Sequence, residues 1–393
     1  MDERANQART PERPRLRVGV FGRGTAPTDG GSDTLLRAQF EALAARQRDR
    51  ALELVPIPWS AWSHRRRPLR YLWSRVVRSF GSEIPLVDLR PVCRRYRLDL
   101  AYFAAPAFAR IDLPYVFTLW DLGHRTIPEF PEMRSGRDPW THREALCRQM
   151  LGQASYVVVG NETGAVEVRT FFGLPASRVV AVPFPNPDFS TVVEEVPAWL
   201  PPRPFFLYPA QFWPHKNHAT LLRAIAHLAA AGRAIPDLVF TGADKGNAPW
   251  VKACALDRGV ADRVHFAGFV SRPVLKALYR RATGLAFPSL LGPNNLPLQE
   301  AAVLGCPAIV SDLPGHREQL GDGADYVDPL DEEAWAEAML RLVERPERRT
   351  ALATRAAAAV AGCTASAHAE RIGALLARLA KRRSLWGDPG CIS

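Results

Sequence analysis

The sequence predicts an α/β fold of two tandem Rossmann-like domains that face each other across a cleft. Two observations carry this prediction. Short apolar runs that end in polar or turn residues alternate with stretches of helical period, as in a parallel sheet covered by helices. This alternation occurs twice in 393 residues, interrupted once by the proline-rich segment 183–204. Ligands of such sheets bind beyond the carboxyl ends of the strands, so site residues are expected there.

The first series predicts an N-terminal Rossmann-like domain over residues 16–185. It opens with the strand LRVGVFGRG, continues through the helical stretch TLLRAQFEALAARQ, and then shows the apolar runs LELVPI, LDLAYFAA, PYVFTLWD and SYVVVG. Residues 1–15 are polar and contain no apolar signal core, which predicts a disordered tail and no secretion.

The second series predicts a C-terminal Rossmann-like domain over residues 204–360, after a linker at 186–203. The strands PFFLYPAQ, DLVFTG, RVHFAG, GLAFPS and PAIVSD alternate with helices. Ser271 is a good N-cap for the helix that follows it, and Pro273 suits the first turn. Residues 361–393 predict a helix and a tail, for which a return to the N-terminal domain stays open.

Composition narrows the function class only partly. The formal net charge of +11 favours anionic partners such as phosphorylated substrates, lipid head groups or nucleic acid, although arginine encoded by GC-rich DNA gives the same balance. The six cysteines are scattered, without CxxC or metal-ligand spacing, which predicts reduced thiols, no metal site and a cytoplasmic protein. No apolar stretch approaches the ~20 residues of a membrane span.

The stretch YPAQFWPHKNH predicts a phosphate site. A strand ends, a turn follows, and Lys216 and Asn217 open a helix. A cation is unfavourable at a helix N-terminus unless an anion joins it. The alternative is a solvated Lys216 with Asn217 acting only as the N-cap.

The stretch FPSLLGPNNLPLQEAAVLG predicts a second part of the same site. Pro293 and Pro297 restrict the loop, so that the segment Asn294, Asn295 and Leu296 can present N–H groups to an anion. Glu300 is expected in the first turns of the helix, where the dipole stabilises a carboxylate and where two ribose hydroxyls could bind it.

Two loops of the N-terminal domain are further candidates. GRGTAPTDGG lacks the third glycine of a dinucleotide box, but Gly30 and Gly31 would let the backbone approach a phosphate; a plain flexible loop is the alternative. LWDLGHRTIPEFPE places the polar group Asp121, His124, Arg125 and Glu129 after a buried strand, where an acceptor would bind. A lone histidine such as His124 is more often structural than catalytic.

These stretches, in this order, resemble the retaining glycosyltransferases of the GT-B fold, family 4, over roughly residues 16–345. The resemblance implies a nucleotide-sugar donor, with UDP or GDP as nucleotide, in the C-terminal domain, and a hydroxyl acceptor in the N-terminal domain. It implies that Lys216 neutralises the diphosphate, Glu300 binds the ribose, and Phe269 or Val270 borders the base. The remaining residues that it implies at the site are Gly30, Gly31, Asp121, His124, Gln211, Asn217, Gly242, Asn294, Asn295 and Leu296.

Three positions depart from the family pattern. Gly292 stands where the first of two glutamates is usual, Gln211 where an arginine is usual, and Trp120 where a histidine is usual. The resemblance implies no metal and no other cofactor. A nucleotide-sugar epimerase and a non-catalytic binder of nucleotide sugars or anionic polymers remain as alternatives; nucleic acid is disfavoured because no interleaved aromatic and basic module is visible.

The segment 64–80 places apolar residues at helical spacing with arginines alongside. Such a helix can lie on an anionic membrane, at the cytoplasmic face, or it can pack its apolar stripe on the sheet with the arginines in solvent.

Overall fold

The computed structural model describes residues 16–22, 36, 39–43, 52–58, 87–134 and 140–386. Several of the sequence predictions therefore lie outside the described residues. These are the ones made for residues 1–15, Gly30, Gly31, the segment 64–80 and Cys391.

The N-terminal domain contains a six-stranded parallel sheet of strand order β2-β1-β4-β6-β7-β8. A separate pair, β3 and β5, is also parallel. The strands are β1 (Leu16–Phe21), β2 (Leu52–Ile57), β3 (Val87–Asp88), β4 (Leu100–Phe103), β5 (Ala109–Arg110), β6 (Tyr115–Thr118), β7 (Tyr156–Val159) and β8 (Val179–Ala181). The helices are α1 (Arg90–Tyr96), α2 (Gly123–Thr126), α3 (Pro131–Arg134), α4 (Trp140–Gln153) and α5 (Glu162–Phe172), and residues 39–43 are also helical.

The C-terminal domain contains a second six-stranded parallel sheet, of order β11-β10-β9-β12-β13-β14. Its strands are β9 (Phe205–Pro209), β10 (Asp237–Thr241), β11 (Val264–Gly268), β12 (Gly284–Phe287), β13 (Ala308–Ser311) and β14 (Ala324–Val327). Its helices are α6 (His218–Ala230), α7 (Ala248–Asp257), α8 (Arg272–Arg281), α9 (Leu296–Leu304), α10 (Pro314–Leu320), α11 (Glu332–Glu344) and α12 (Pro346–Val360). The prediction of two tandem Rossmann-like domains is confirmed.

Local sequence explains the element boundaries. The central strands β4, β6, β12 and β13 are buried along their whole length, so their apolar runs do not alternate. Helix α5 has Asn161 as its N-cap, whose side chain accepts a hydrogen bond from the Gly164 N–H at 2.9 Å, and Gly173 in the left-handed conformation as its C-cap. Ser271 caps α8 through the Val274 N–H.

The last helix, α13 (Ala365–Arg383), packs on the N-terminal domain. Its buried side chains, among them Ile372 and Leu376, share one apolar core with Val18 and Tyr102 of the first sheet. The chain therefore crosses between the domains twice. The two crossings touch each other, because the Asn186 N–H donates to the Cys363 carbonyl at 2.7 Å.

The carboxyl ends of the two sheets meet at a seam between the domains. Glu318 of α10 accepts hydrogen bonds from the N–H groups of Glu162 and Thr163, at 2.6 and 2.9 Å, at the start of α5. The Asn161 amide donates to the Pro293 carbonyl. These contacts hold the loop before α9 directly against the N-terminal domain.

Candidate functional site

Lys216 lies on the loop that leaves β9, directly after His215, which contacts Glu132 of the N-terminal domain. The loop forms a 3-10 turn at Pro214–Lys216, and α6 begins two residues later than Lys216, at His218. The expectation that Lys216 itself opens the helix was therefore wrong. The Lys216 Nζ approaches Asn295 Oδ1 at 3.2 Å and Ser289 Oγ at 3.4 Å, and it lies 5.3 Å from the centre of the Phe287 ring.

The environment of Lys216 perturbs its charge. Burial lowers the pKa of Lys216 to about 8, against the opposing effect of the negative charges of Asp121 and Glu132. Both carboxylates belong to the N-terminal domain, so the charge of Lys216, a residue of the C-terminal domain, interacts electrostatically with the opposite domain. A half-buried cation of this kind gains from a bound anion, because the anion restores the solvation that burial removes.

Asn295 is held in place so that its side-chain oxygen faces Lys216. Its Nδ2 donates to the Leu291 carbonyl at 3.1 Å and to His316 Nε2 at 2.9 Å. His316 is fully buried, and its Nδ1–H donates to the Ser311 carbonyl at 2.8 Å. Burial lowers the pKa of His316 to about 4, so the ring is neutral and Nε2 is free to accept. The imidazole thereby fixes the rotamer of Asn295.

The loop amides are only partly available to an anion. The Asn295 N–H donates to Gln319 Oε1 at 2.9 Å, contrary to the expectation that it stands open for a phosphate. The Leu296 N–H, at the first position of α9, has no hydrogen-bond partner among the described residues. Asn294 Nδ2 is buried and also unpaired within that part of the chain. An anion at this helix start would meet the Leu296 and Asn294 donors first.

Position 292 has no room for a side chain. A Cβ built on Gly292 would lie 1.9 Å from Asn295 Nδ2 and 2.8 Å from His316 Nε2. The Asn295–His316 pair therefore occupies the space that a side chain at this position would need. A glutamate at position 292 would have to displace the Asn295–His316 pair.

Three candidate residues on the β9 and β10 loops have structural roles here. Asn217 adopts the left-handed conformation, and its amide donates to the Pro329 carbonyl at 2.8 Å and to the Pro288 carbonyl at 3.2 Å. Gln211 Oε1 accepts from Trp213 Nε1 at 3.0 Å. Gly242 has φ +138°, and a Cβ there would lie 2.4 Å from the Ala210 carbonyl oxygen. These residues shape the loops around Lys216, and the side chains of Asn217 and Gln211 bond to groups other than Lys216 Nζ.

Glu300 is the fifth residue of α9, which begins at Leu296, two residues before the expected start, so it lies within the first turns of the helix. Its carboxylate is buried and accepts a hydrogen bond from the Tyr279 hydroxyl at 2.8 Å. Burial raises the pKa of Glu300. Phe269 and Val270 follow the edge strand β11, and the Phe269 side chain is 55% exposed. An exposed aromatic ring at a strand end is free to stack on a planar group.

The polar group of the N-terminal domain divides into two parts. His124 is fully buried, and Glu144 contacts it at 3.2 Å while also accepting from Arg125 Nε at 2.8 Å, so these three residues are held together within the N-terminal domain. Burial lowers the pKa of His124. Asp121 instead lines a small cavity that Pro293 closes from the opposite domain. Its Oδ1 accepts from the Gly123 N–H at 2.9 Å and from Arg143. Glu129 is exposed.

One interdomain pair was missed in the sequence. Glu132 Oε1 accepts from the His215 N–H at 2.9 Å and contacts His215 Nδ1 at 2.5 Å. The pair joins α3 of the N-terminal domain to the turn that carries Lys216. Its only sequence signals are a carboxylate at the end of the polar stretch 119–132 and a histidine next to Lys216. Because the two residues are 83 positions apart, no local pattern predicts their contact.

Within the residues that the structure describes, no cluster of three or more His, Cys, Asp or Glu residues is arranged to hold a metal ion. Over the same residues, none of the helices is long and apolar enough to cross a membrane.

Comparisons with known proteins agree with this architecture. Residues 194–359 match the profile of the family described as glycosyl transferases group 1. Among curated proteins, the chain is 31% identical over 143 residues to the O-antigen chain mannosyltransferase RfbU of Salmonella typhimurium, covering 36% of this chain and 39% of that relative. It is 25% identical over 240 residues to O-antigen chain mannosyltransferase B of Escherichia coli, covering 58% of this chain and 61% of the relative. The chain thus spans less than two thirds of the length of either.

Solved structures show the same fold. The sucrose-phosphate synthase of Thermosynechococcus elongatus superposes with a TM-score of 0.67 at 17% identity, over 93% of this chain and 99% of that one. The Anabaena protein Alr3699/HepE in complex with UDP superposes with a TM-score of 0.63 at 15% identity, over 92% of this chain and 100% of that one. The GT-B arrangement of the two domains is thereby confirmed.

Proposed function

Because residues 194–359 match the profile of the glycosyl transferases group 1 family, we propose that this protein is a glycosyltransferase that moves a sugar from a nucleotide-diphosphate sugar to a hydroxyl acceptor, with retention of configuration. The C-terminal domain binds the donor, and the N-terminal domain binds the acceptor. The mannosyltransferases of O-antigen chains that resemble this chain support a glycan as the acceptor.

The observation that carries the proposal is the setting of Lys216. Its ammonium lies at the seam of the two parallel sheets, 3.2 Å from Oδ1 of Asn295, the residue directly before α9. Burial lowers the pKa of this ammonium. The start of α9 adds the partial positive charge of a helix N-terminus. A diphosphate that leaves the sugar develops negative charge, and this arrangement stabilises that charge where it forms.

The other residues then take supporting roles. Glu300, with Tyr279 on one oxygen, binds the ribose hydroxyls, and Phe269 or Val270 borders the base. The Leu296 and Asn294 donors contact phosphate oxygens of the bound nucleotide sugar. The seam holds donor and acceptor in one orientation, so that the acceptor hydroxyl attacks the face that the nucleotide leaves.

The nucleotide is UDP or GDP. The UDP complex of the Anabaena structure supports UDP, and the mannosyltransferase relatives leave GDP as the second candidate. A glycan acceptor carried on a lipid would bring the protein to the cytoplasmic face of a membrane, with the basic segment 64–80 as the contact.

A ligand panel tests the proposal. Thermal unfolding is followed with UDP, GDP, ADP, UMP, GMP and their common nucleotide sugars. A ligand at a hundred times its dissociation constant should add about 2.7 kcal/mol to the free energy of unfolding. We expect one diphosphate to stabilise the protein far more than its monophosphate, and its nucleotide sugar to yield a glycosylated product with a glycan acceptor.

Two results would count against the proposal. Equal stabilisation by monophosphate and diphosphate would show that no diphosphate site exists. Conversion of the nucleotide sugar into its epimer without release of nucleotide would instead assign the chain to the epimerases.

A further inference from the structure

The carboxylate of Glu132 is unusual among the buried polar groups of the protein. Its side chain is only 7% exposed. Oε1 takes both hydrogen bonds from His215, whereas Oε2 is buried and has no partner among the described residues. A buried carboxylate oxygen without a donor costs free energy, so it calls for a ligand or another explanation.

The charge of Glu132 is not compensated by its partner. Burial lowers the pKa of His215, so the ring is neutral near pH 7 and donates Nδ1–H as a neutral group. The pKa of Glu132 is nevertheless lowered: burial raises it, but the hydrogen bonds from the His215 side chain and backbone outweigh that effect. The carboxylate is therefore ionised, with one oxygen that can only accept. Asp121 differs, because Arg143 pairs with it.

The position of Glu132 indicates which ligand Oε2 can bind. It binds the residue directly before Lys216, and its negative charge raises the pKa of that lysine. The loop that precedes α9 lies beside it, since the Leu290 N–H donates to the His215 carbonyl at 2.9 Å. Glu132 comes from the N-terminal domain, so it stands opposite the donor site. In the proposed complex the transferred sugar lies between the diphosphate and the acceptor, next to this position.

We propose that Glu132 Oε2 accepts a hydrogen bond from a hydroxyl of the sugar that is transferred, and so positions that sugar between Lys216 and the acceptor. The inference rests on the proposed function. It assigns a positioning and specificity role to a residue of the acceptor domain. His215 serves as its anchor: with both its N–H groups on Oε1, it leaves Oε2 to the sugar.

The substitution Glu132→Gln isolates this role. The backbone N–H of His215 requires an oxygen, so the glutamine oxygen replaces Oε1 and its NH₂ group replaces Oε2. The shape is kept, while an acceptor becomes a donor. Glu337→Gln is the control, because Glu337 is an exposed glutamate of α11 to which no site role is assigned.

Calorimetry compares UDP with UDP-glucose and GDP with GDP-mannose, and initial rates give kcat/KM for the active nucleotide sugar. For Glu132→Gln we expect affinity for the free diphosphate within about twofold of wild type, and kcat/KM lower by roughly 10- to 100-fold, the loss typical of one charged hydrogen bond to substrate. Glu337→Gln should match wild type in both.

The outcomes separate the two claims. Unchanged kcat/KM in Glu132→Gln overturns the inference, and so does an equal loss of diphosphate and nucleotide-sugar binding, which would mean that Glu132 only holds the Lys216 loop. A wild-type protein that binds neither diphosphate overturns the proposed function, and the inference falls with it.

Discussion

Replacing His316 by leucine should destabilise the C-terminal domain and loosen the residue that faces Lys216. The imidazole makes two buried hydrogen bonds, to the Ser311 carbonyl at 2.8 Å and from Asn295 Nδ2 at 2.9 Å. Leucine leaves both groups without that partner, and each buried unsatisfied group costs about 1–3 kcal/mol. Asn295 keeps its bond to the Leu291 carbonyl, so we expect a total loss of about 2–4 kcal/mol.

The effect of pH distinguishes this account from simple loss of packing. Burial lowers the pKa of His316 from 6.5 to about 4 in the folded protein. Between those pH values the unfolded chain binds a proton that the folded protein does not, so this residue reduces stability as pH falls. The leucine variant has no titratable side chain at this position, so its stability lacks this pH dependence. Its deficit relative to wild type should therefore shrink by about 2 kcal/mol between about pH 7 and about pH 5.

Urea unfolding of both proteins at the two pH values measures this change. His227→Leu is the matched control, because His227 has a side chain that is 41% exposed. It should change the unfolding free energy by less than about 0.5 kcal/mol at either pH. A deficit for His316→Leu that is the same at both pH values would refute the assignment of a neutral, hydrogen-bonded His316. We also expect weaker diphosphate binding, since Asn295 no longer has a fixed orientation.

Four further predictions concern the seam and the C-terminal domain. Glu318→Gln should weaken the contact to the start of α5 by about 0.5–1 kcal/mol, measured by a double-mutant cycle with Thr163→Val; additive effects would show that the two residues do not interact. Gly242→Ala should lower the free energy of unfolding by about 2 kcal/mol or more, since φ is +138° and its Cβ would meet the Ala210 carbonyl; an unchanged melting temperature would contradict that. Glu300→Ala should weaken nucleotide-sugar binding by about 1–3 kcal/mol in calorimetry, and equal affinity would exclude a ribose contact. Diphosphate affinity should fall as pH rises above about 8, because free Lys216 then loses its proton; a flat profile to higher pH would argue against that cation.

Much of the fold was predictable because it depends on local patterns. Each strand of the second sheet appears as a short apolar run, and Ser271 and Gly305 mark helix ends by their own preferences. Lys216 and the loop before α9 could be placed at strand ends for the same reason. The start of α6 was misplaced because Asn217 adopts the left-handed conformation and delays the helix.

The contacts across the seam were not predictable from local patterns. Glu132 and His215 are 83 residues apart, and Glu318 reaches a helix 155 residues earlier in the chain. His316 carries no signal of burial in its own segment, because its role follows from the way Gly315 lets α10 approach Gly292 and Pro293. The departure at Gly292 was visible in the sequence, but its reason, the Asn295–His316 pair, was not.

The central claim is that Lys216 binds the diphosphate of the donor. Calorimetric titration of UDP and GDP into wild type, Lys216→Met and Lys252→Met tests it most directly, since Lys252 is an exposed lysine of the same domain. We predict that Lys216→Met stays folded, because burial already opposes the charge, and loses about 2–3 kcal/mol of diphosphate affinity, whereas Lys252→Met binds like wild type. Equal affinity in all three proteins would contradict the account.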